Sequence, residues 1–320
     1  MVDTKQSLIV RESANPIVTV ADLPFRGQCV FNSGAVVAGD QIVMLVNAWD
    51  AEFVPRFLAA RSRDGVRFEV QDRDLIEPPR EYPYQPDTGI FDTRITPLAG
   101  AYYITYNTYA PGAGGRIRLA RTTDFETIED LGFLTGPDHR NCVLFPEKID
   151  DAYVRLERPH GQGDLGEIFI SYSPDLEHWG RTKILLQKGA RYWESAKIGP
   201  GAVPLRTPEG WLVLYHGCRE HMNGLMYSMG CMLLDLEDPS RIVGKMQECL
   251  MWPEEPYEMN GNCPMVVFPT AVIAHGEPDE LKIYYGAADR TMCLARVLQS
   301  RLIERCLAGG PVEYRYEYGS

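Results

Sequence analysis

The chain has 320 residues, of which 45% are hydrophobic and 24% are charged, a balance typical of folded globular proteins and not of disordered ones. The formal net charge is −12, and no basic stripe of the kind that binds DNA or RNA is present, which argues against a nucleic-acid partner. No apolar run approaches the length of a membrane span, so we expect no membrane insertion.

The N-terminus and the cysteines indicate the compartment. The first residues, MVDTKQSLIV, are charged and predict no signal peptide. No two cysteines form a CxxC pair, so neither a zinc site nor a redox motif is expected. Several cysteines stand inside apolar segments and are expected to be small buried hydrophobic residues, which fits a cytoplasmic location. The eight cysteines are Cys29, Cys142, Cys218, Cys231, Cys249, Cys263, Cys293 and Cys306.

Taken in chain order, the apolar segments are short and rich in Val, Ile, Tyr and Phe, and clusters of Gly, Pro, Asp and Asn separate them. Helical periodicity is scarce. This pattern predicts many strands joined by turns. The clearest runs are QIVMLVNAW, AYYITYNTY, EIFISYS, GWLVLYHG and LKIYYGAA.

A motif repeats along these strands: a strand ends in Ser or Thr, and an Asp follows in a turn. Three copies are clear, a fourth at 230–242 is looser, and 292–303 is a possible fifth. The copies predict a β-propeller, with several strands in each unit. Five units predict an all-β, five-bladed β-propeller that occupies residues 1–320 as a single domain; the alternative is a β-sandwich with chance similarity of turns. The turn aspartates are Asp64, Asp124, Asp175 and Asp238, which lie 60, 51 and 63 residues apart.

In a propeller the inner strands and their loops converge at the mouth of the central channel, so we expect the functional site there. Polar residues stand at equivalent strand ends in successive units, a distribution that scattered surface charge explains poorly. They are Asn32 and Ser33, Asp92 to Arg94, Arg140 and Asn141, Arg158, Lys197, Tyr215 and His216, and Asp289.

Asp92, in GIFDTRITPL (89–98), has two interpretations. The first is a surface ion pair with Arg94 at the end of a strand. The second is a catalytic acid held in place by its neighbours. The local sequence favours neither.

At these residues the chain resembles glycoside hydrolase family 130, the β-mannoside phosphorylases and their hydrolytic relatives. The resemblance covers nearly the whole chain, from about residue 14 to residue 289. It implies a five-bladed propeller, in agreement with the repeat count. It also implies reversible phosphorolysis of a β-mannosidic bond with inversion, which releases α-mannose 1-phosphate. The stretches that carry it are ANPI, FNSGAV, GIFDTRIT, RNCVLFPEKI, RLERP, SPDLEHWG, WESAKIGPGAVPLRTPEGWLVLYHG, LLDLEDPSRI and YYGAAD.

The resemblance also implies roles for single residues. Asp92 matches a general acid that acts through a sugar hydroxyl. A phosphorylase needs only this one carboxylate, because phosphate is already a charged nucleophile. The positions that match a phosphate site are Arg140, Asn141, Arg158, Lys197, His216 and Tyr227. The positions that match a mannosyl site are Asn32, Ser33, Phe268 and Asp289, with Phe91 and, more weakly, Arg56 beside them.

Residue chemistry supports these roles. Several converging donors suit phosphate, and the planar fork of arginine matches its oxygens. Cations gathered on inner strands repel one another unless an anion lies among them. For each residue alone, a structural role is the simpler interpretation, as for core packing of Phe268. Lys148 and Arg155 stand in the same strands, and we interpret them as scaffold or surface.

One departure concerns the acceptor side. Some relatives carry a histidine in the loop that here reads HGQGDLGEI, and Gln162 takes that place, with His160 as an alternative. The acceptor sugar and the linkage therefore stay open, with β-1,4 favoured. Inorganic phosphate is the expected co-substrate, with no cofactor and no metal, and a homo-oligomer is possible.

Two other functions compete. A β-mannosidase on the same scaffold needs a second carboxylate to activate water, and Glu194 and Glu258 are available. A non-catalytic sugar-binding propeller predicts no acid at position 92 and leaves the converging cations unexplained.

Overall fold

The computed structural model describes residues 8–76, 89–110, 114–160, 166–189, 191–222 and 224–312. In this part of the chain, strands β1 to β22 form five antiparallel sheets, which we call blades 1 to 5 in chain order. Blade 5 begins with the first strand of the chain and is completed by the last three.

Four strands of each blade pair side by side, and in blades 1 and 4 an additional short strand pairs with the second of them. The N-terminal strand is β1 (Val10–Arg11). Blade 1 contains β2 (Gly27–Val30), β3 (Gly34–Ala38), β4 (Gln41–Asp50), β5 (Pro55–Ser62) and β6 (Glu69–Ile76). Blade 2 contains β7 (Ile90–Leu98), β8 (Ala101–Ala110), β9 (Gly114–Thr122) and β10 (Glu129–Phe133). Blade 3 contains β11 (His139–Leu144), β12 (Tyr153–Pro159), β13 (Ile168–Ser173) and β14 (Gly180–Leu186).

Blade 4 contains β15 (Lys197–Pro200), β16 (Leu205–Thr207), β17 (Gly210–His221), β18 (Gly224–Leu234) and β19 (Ile242–Lys245). Blade 5 contains β20 (Val267–Ala274), β21 (Glu280–Ala287) and β22 (Thr291–Leu298), with β1 as its outer strand. The helical segments are short: two 3-10 turns at Val20–Asp22 and Tyr192–Glu194, then α1 (Pro256–Met259) and α2 (Gln299–Gly309). Among the described helices, none has the length and hydropathy to cross a membrane.

The predicted five-bladed propeller is confirmed. Neighbouring blades touch in chain order, and the innermost strand of blade 5 returns to contact β3 of blade 1, which closes the ring. The ring is also closed within blade 5, where β1 pairs with β22 and joins the two ends of the described chain.

Alternation along the strands explains how the blades pack. In β17, Leu212 and Leu214 belong to the core shared with blade 5, while Trp211 and Val213 belong to the core shared with blade 3. Successive side chains of a strand point to opposite faces, so an apolar run with both faces covered buries all of its residues. Each fully buried large apolar side chain contributes about 1.5–3 kcal/mol. Among the described residues, five such cores hold the ring together.

The repeated turn motif joins the last two strands of blades 1 to 4. Asp64 Oδ1 accepts the backbone N–H groups of Val66 and Arg67, both at 2.9 Å. Asp124 and Asp175 make the same pair of bonds two and three residues on. A side-chain oxygen that satisfies two turn N–H groups explains why Asp recurs there.

Two details of the predicted repeat are wrong. In blade 4 the equivalent residue is Asp235 and not Asp238, because Asp235 Oδ1 accepts the N–H groups at positions 237 and 238. The last copy has no such turn: β22 is followed directly by α2. The outer strand of blade 5 is β1, from the N-terminal part of the chain, so this blade needs no hairpin after β22.

Candidate active site

The inner ends of the blades carry four polar residues in the left-handed backbone region. Asn32, Asp92, Asn141 and Asp289 have φ of 47°, 57°, 55° and 48°. Asn and Asp tolerate this region better than other residues with a side chain. Asn32 stands between β2 and β3, while Asp92 and Asn141 lie where the register of β7 and β11 shifts. These breaks direct polar side chains from different blades towards one point near the axis.

Three asparagine amides surround Asp92. Asn32 Nδ2 donates to Oδ1 at 2.8 Å, and Asn107 Nδ2 donates to Oδ2 at 2.7 Å. Asn141 Nδ2 adds a longer bond to Oδ2 at 3.3 Å. The donors come from blades 1, 2 and 3, so the position of the carboxyl group is fixed by the assembled ring and not by its own strand.

Burial raises the pKa of Asp92 above the usual aspartate value, against the opposing effects of Arg94, the Asn32 amide and two further arginines. The residue as a whole is nevertheless only partly buried, and it lines the cavity described below. A buried acid with a raised pKa that still meets solvent space is suited to proton transfer.

Arg94 is not the ion-pair partner that one interpretation of the sequence offered. Its fully buried guanidinium donates to backbone carbonyl groups at Gly201, at Thr93 (2.9 Å) and at Pro269 (3.3 Å). In the described part of the chain no salt bridge joins Arg94 to Asp92. Arg94 therefore ties together the inner strands of blades 2, 4 and 5.

A second carboxyl group lies beside the first. Asn32 Nδ2 also donates to Asp289 Oδ1, at 3.3 Å. Burial, followed by the neighbouring charge of Asp92, raises the pKa of Asp289 to about 7. Gly286 of β21 packs closely against Asn32. A residue with a side chain would not fit there, because a Cβ at Gly286 would overlap Asn32 Oδ1.

Blades 3 and 4 present cations to the cavity. Arg158 is buried, and Arg140 and Lys197 are partly buried. Among the described residues none of the three has a carboxylate within salt-bridge distance. The pKa of Lys197 is lowered, mainly by burial and further by the positive charges of Arg158 and Arg140. Converging cations without a counter-ion in the protein form a site for an anion.

His216 lies among these cations in its neutral form. Arg158 Nη1 donates to His216 Nε2 at 3.3 Å, so the ring proton is on Nδ1. Burial and the charges of Arg158 and Lys197 hold the pKa of His216 well below its usual value. Its Nδ1 is buried without a partner in the described structure. The rings of Tyr227 and Phe268 pack near it, with centroids at 5.8 and 4.7 Å.

Most of these groups border one cavity of about 600 Å³, whereas Arg94 and Asn107 are not among its lining residues. A cavity of this size accommodates a disaccharide-sized ligand. The predicted site residues that line it are Asp92, Arg140, Asn141, Arg158, Lys197, His216, Tyr227, Asn32, Phe91, Phe268 and Asp289. Gln162 lies outside the described residues.

Two predicted site residues do not line the cavity. Ser33 is fully buried, and its Oγ accepts the backbone N–H of Asn47 at 3.0 Å. Arg56 points along its blade, pairs with Asp74 of β6 at 2.8 Å and covers the ring of Phe25. Ser33 therefore shapes the break in the inner strand, and Arg56 stabilises the outer part of blade 1.

Several residues at the site were not predicted from the sequence. Asn107 contacts Asp92, and its only signal was a polar residue that interrupts the apolar strand AYYITYN. The cavity wall also includes Phe31, Trp49, Tyr109, Cys263 and Val266. These apolar residues carry no signal in a sequence where similar residues fill the blade cores.

The carboxylates considered as bases for a hydrolase lie elsewhere. Glu194 is buried against Lys245 Nζ and Tyr215 Oη, each at 2.8 Å. Glu258 is buried against Arg11 and Tyr285. Both are occupied by structural partners, and neither lines the cavity.

Known proteins resemble the chain over most of its length. A family model described as beta-1,4-mannooligosaccharide phosphorylase matches residues 9–306. The β-1,4-mannooligosaccharide phosphorylase of Ruminococcus albus is 33% identical over 300 residues, which cover 91% of this chain and 88% of the relative. A β-1,2-mannobiose phosphorylase of Listeria innocua is 37% identical over 235 residues, which cover 73% and 63%.

A solved structure of a similar protein has the same fold. The β-1,2-mannobiose phosphorylase from Listeria innocua, in complex with β-1,2-mannobiose, superposes with a TM-score of 0.83 at 27% identity, over 94% of this chain and 99% of that one. The fold, the family match and the similarity to these relatives agree. The chain belongs to glycoside hydrolase family 130 and is a phosphorylase that acts on β-mannosides.

Proposed function

We propose that the protein cleaves a terminal β-1,4-mannosidic bond with inorganic phosphate, reversibly and with inversion, and releases α-mannose 1-phosphate. The observation that carries this proposal is the set of three cations, Arg140, Arg158 and Lys197, which face the cavity beside Asp92 without a salt-bridge partner in the described chain. Phosphate supplies the missing negative charge.

Asp92 is the proposed general acid. Burial raises its pKa and so favours the protonated form, and its position next to Asn32 and Asp289 places it beside the proposed mannosyl site. The proton passes through a sugar hydroxyl to the bridging oxygen as the bond breaks. Phosphate attacks the anomeric carbon from the opposite side, which inverts its configuration. The amide of Asn141 and the neutral His216 complete the proposed phosphate site with Tyr227.

Asn32, Asp289 and Phe268 are the proposed mannosyl contacts, with Phe91 at the edge of the cavity. Amide and carboxyl groups bond sugar hydroxyls, and an aromatic ring packs against an apolar sugar face.

A hydrolytic reaction is less well supported. An inverting hydrolase separates its two carboxyl groups by about 6.5–9.5 Å to admit a water molecule. Asp92 and Asp289 both accept from one nitrogen, Asn32 Nδ2, so their bonded oxygens lie within two hydrogen-bond lengths of each other. A water-activating base at that spacing leaves little room for the water.

The β-1,4 linkage is supported by the description of the matching family model and by the name of the Ruminococcus relative. The Listeria relative is named for the β-1,2 linkage. The proposal can be tested by synthesis from α-mannose 1-phosphate. Mannose, glucose and N-acetylglucosamine serve as acceptors, and NMR identifies the linkage in the products. A β-1,4-linked product is expected. A β-1,2-linked product would show that the proposed β-1,4 specificity is wrong.

A cytoplasmic location remains part of the proposal. It is supported by the eight cysteines, which are all free, as expected in a reducing compartment.

A further inference from the structure

Glu194 is a buried carboxylate close in sequence to the proposed phosphate site. It ends the 3-10 turn Tyr192–Glu194, three residues before Lys197, and it is fully buried. Its Oε1 accepts from Lys245 Nζ and its Oε2 accepts from Tyr215 Oη, each at 2.8 Å. No step of the proposed reaction uses these two bonds.

Tyr215 links this carboxylate to another residue of the phosphate site. It directly precedes His216 on β17, and successive side chains of a strand point to opposite faces. His216 lines the cavity, whereas Tyr215 belongs to the core between blades 3 and 4. Burial and the charge of Glu194 raise the pKa of Tyr215, so the phenol keeps its proton and donates the hydrogen bond. The bond therefore joins the turn before Lys197 to the strand that carries His216.

Backbone bonds extend the link from Glu194 to Lys197. The N–H of Ala196 donates to the carbonyl group of Cys218 at 2.8 Å. Lys197 itself is paired with Cys218 in the register of β15 and β17. The chain between Glu194 and Lys197 has little freedom, so a turn that is fixed at Glu194 also fixes the backbone of Lys197.

The turn is packed tightly against blade 4. The rings of Trp193 and Tyr215 have centroids 5.7 Å apart. A Cβ at Gly217 of β17 would lie 2.4 Å from the Trp193 ring and 2.9 Å from Glu194 Cβ. A Cβ at Gly230 of β18 would lie 2.5 Å from both rings. The two glycines thus allow the turn to lie directly on these strands.

The ion pair between Glu194 and Lys245 restricts geometry more than it adds stability. Desolvation of two buried charges offsets most of their attraction, but each buried group still requires its partner in place. Such restriction matters for Lys197, whose pKa is lowered by burial and then by the charges of Arg158 and Arg140. These cations repel Lys197 when no anion lies among them. A fixed backbone limits how far that repulsion can displace it.

We propose that Glu194 is a positioning residue for phosphate, which holds the turn before Lys197 in place relative to His216 through its bonds to Tyr215 and Lys245. This inference rests on the proposed function. The proposed mannosyl contacts come from blades 1 and 5 and do not depend on this turn. Loss of the Glu194 bonds should therefore weaken the use of phosphate and spare the binding of the mannoside.

The test is phosphorolysis of a β-1,4-mannooligosaccharide by Tyr215→Phe and by Glu194→Gln, with phosphate and mannoside varied separately. Tyr215→Phe keeps the ring and removes the bond to Glu194. Glu194→Gln keeps the size of the side chain and removes the charge that binds Lys245. Each variant should raise the KM for phosphate about 3–10-fold and leave the KM for the mannoside within about 2-fold, because only the turn is loosened.

A second buried glutamate provides the matched control. Glu258 of α1 is also fully buried, and its Oε1 accepts from Arg11 Nε at 2.8 Å and from Tyr285 Oη at 2.9 Å. It lies outside the cavity, and its helix carries none of the proposed phosphate ligands. Tyr285→Phe and Glu258→Gln should leave the KM for phosphate unchanged. The thermal unfolding temperature of all four variants measures the accompanying loss of stability.

The outcomes separate this inference from the proposed function. If wild type requires phosphate but Tyr215→Phe and Glu194→Gln match the control pair in the KM for phosphate, Glu194 is only structural and the proposed function stands. An equal rise in both KM values would also overturn the inference, since the whole site would then be disturbed. Tyr215→Phe decides the question if Glu194→Gln does not fold. A wild type that shows no phosphate-dependent reaction overturns both proposals.

Discussion

Asn107 holds Asp92 from the neighbouring strand: its Nδ2 donates to Asp92 Oδ2 at 2.7 Å, while its Oδ1 accepts the backbone N–H of Asn141 at 3.1 Å. A backbone N–H can only donate, so the oxygen of the Asn107 amide must face Asn141 and its nitrogen must face the acid. The two bonds link blade 2 to blade 3 and fix the orientation of the amide without ambiguity.

Removal of this contact should alter the acid. The Asn107 N–H stabilises the charged form of Asp92, so Asn107→Ala should raise the pKa of Asp92 further. A general acid works in its protonated form, so the alkaline limb of kcat/KM for phosphorolysis should move to higher pH. The looser carboxyl group should also reduce kcat, by about 10-fold. The pH profile measures both effects. Asn260→Ala, at an exposed asparagine, is the control, and an Asn107→Ala profile identical to it would show that Asn107 does not position the acid.

Replacement of the acid itself should remove most turnover. Asp92→Asn keeps the size of the side chain but cannot donate an acidic proton, so a loss of about 10²–10⁴-fold in kcat is expected. The thermal unfolding temperature, measured alongside, should show that the ring stays folded. Near-wild-type phosphorolysis by this variant would reduce Asp92 to a structural residue.

Replacement of Asp289 should also shift the alkaline limb of kcat/KM, in the direction opposite to the shift expected for Asn107→Ala. The negative charge of Asp289 disfavours ionisation of Asp92, as the charge of Asp92 does for Asp289. Asp289→Asn removes that charge, so the pKa of Asp92 should fall and the alkaline limb should move to lower pH. The KM for the mannoside should rise as a sugar contact is weakened. An unchanged limb would mean that the two carboxyl groups do not interact.

The cation cluster should control the use of phosphate. Arg140→Ala, Arg158→Ala and Lys197→Ala each remove a charged hydrogen bond, a loss of about 1.5–3 kcal/mol or about 10–150-fold in the KM for phosphate. Part of the loss should appear in kcat, since the bonds strengthen in the transition state.

Lys148→Ala is the control for this series. Lys148 is exposed, and its Nζ lies 4.3 Å from the ring centroid of Tyr153, outside the cavity. It follows the same inner strand of blade 3 that carries Arg140. Equal damage from Lys148→Ala and Arg140→Ala would show that the phosphate site has been assigned to the wrong residues of this blade.

The propeller was predictable because a local rule repeats in the sequence. Asp64, Asp124 and Asp175 each close a turn by bonding two N–H groups, so the turn chemistry reports the blade. The closure of blade 5 by β1 was not predictable, since a two-residue strand leaves no periodic signal. The position of Asp235 was missed because a second aspartate stands three residues later and because Leu233, and not Ser or Thr, stands two residues before Asp235.

The charged part of the site was predictable from residue chemistry and the family pattern, since Arg140, Arg158 and Lys197 are unusual at the ends of inner strands. The pairing of Arg56 with Asp74 was not, because it depends on the register of β5 and β6. Trp49 was missed for a different reason: in an apolar strand, nothing in the sequence separates a residue that faces a cavity from one that faces the core.

The most direct test of the whole account is the dependence of mannoside breakdown on phosphate. The purified protein is incubated with a β-1,4-mannooligosaccharide over a range of phosphate concentrations, and the products are identified by NMR. The account predicts a rate that rises with phosphate and saturates, with α-mannose 1-phosphate as the sugar product. Equal rates with and without phosphate, with free mannose as the product, would contradict it.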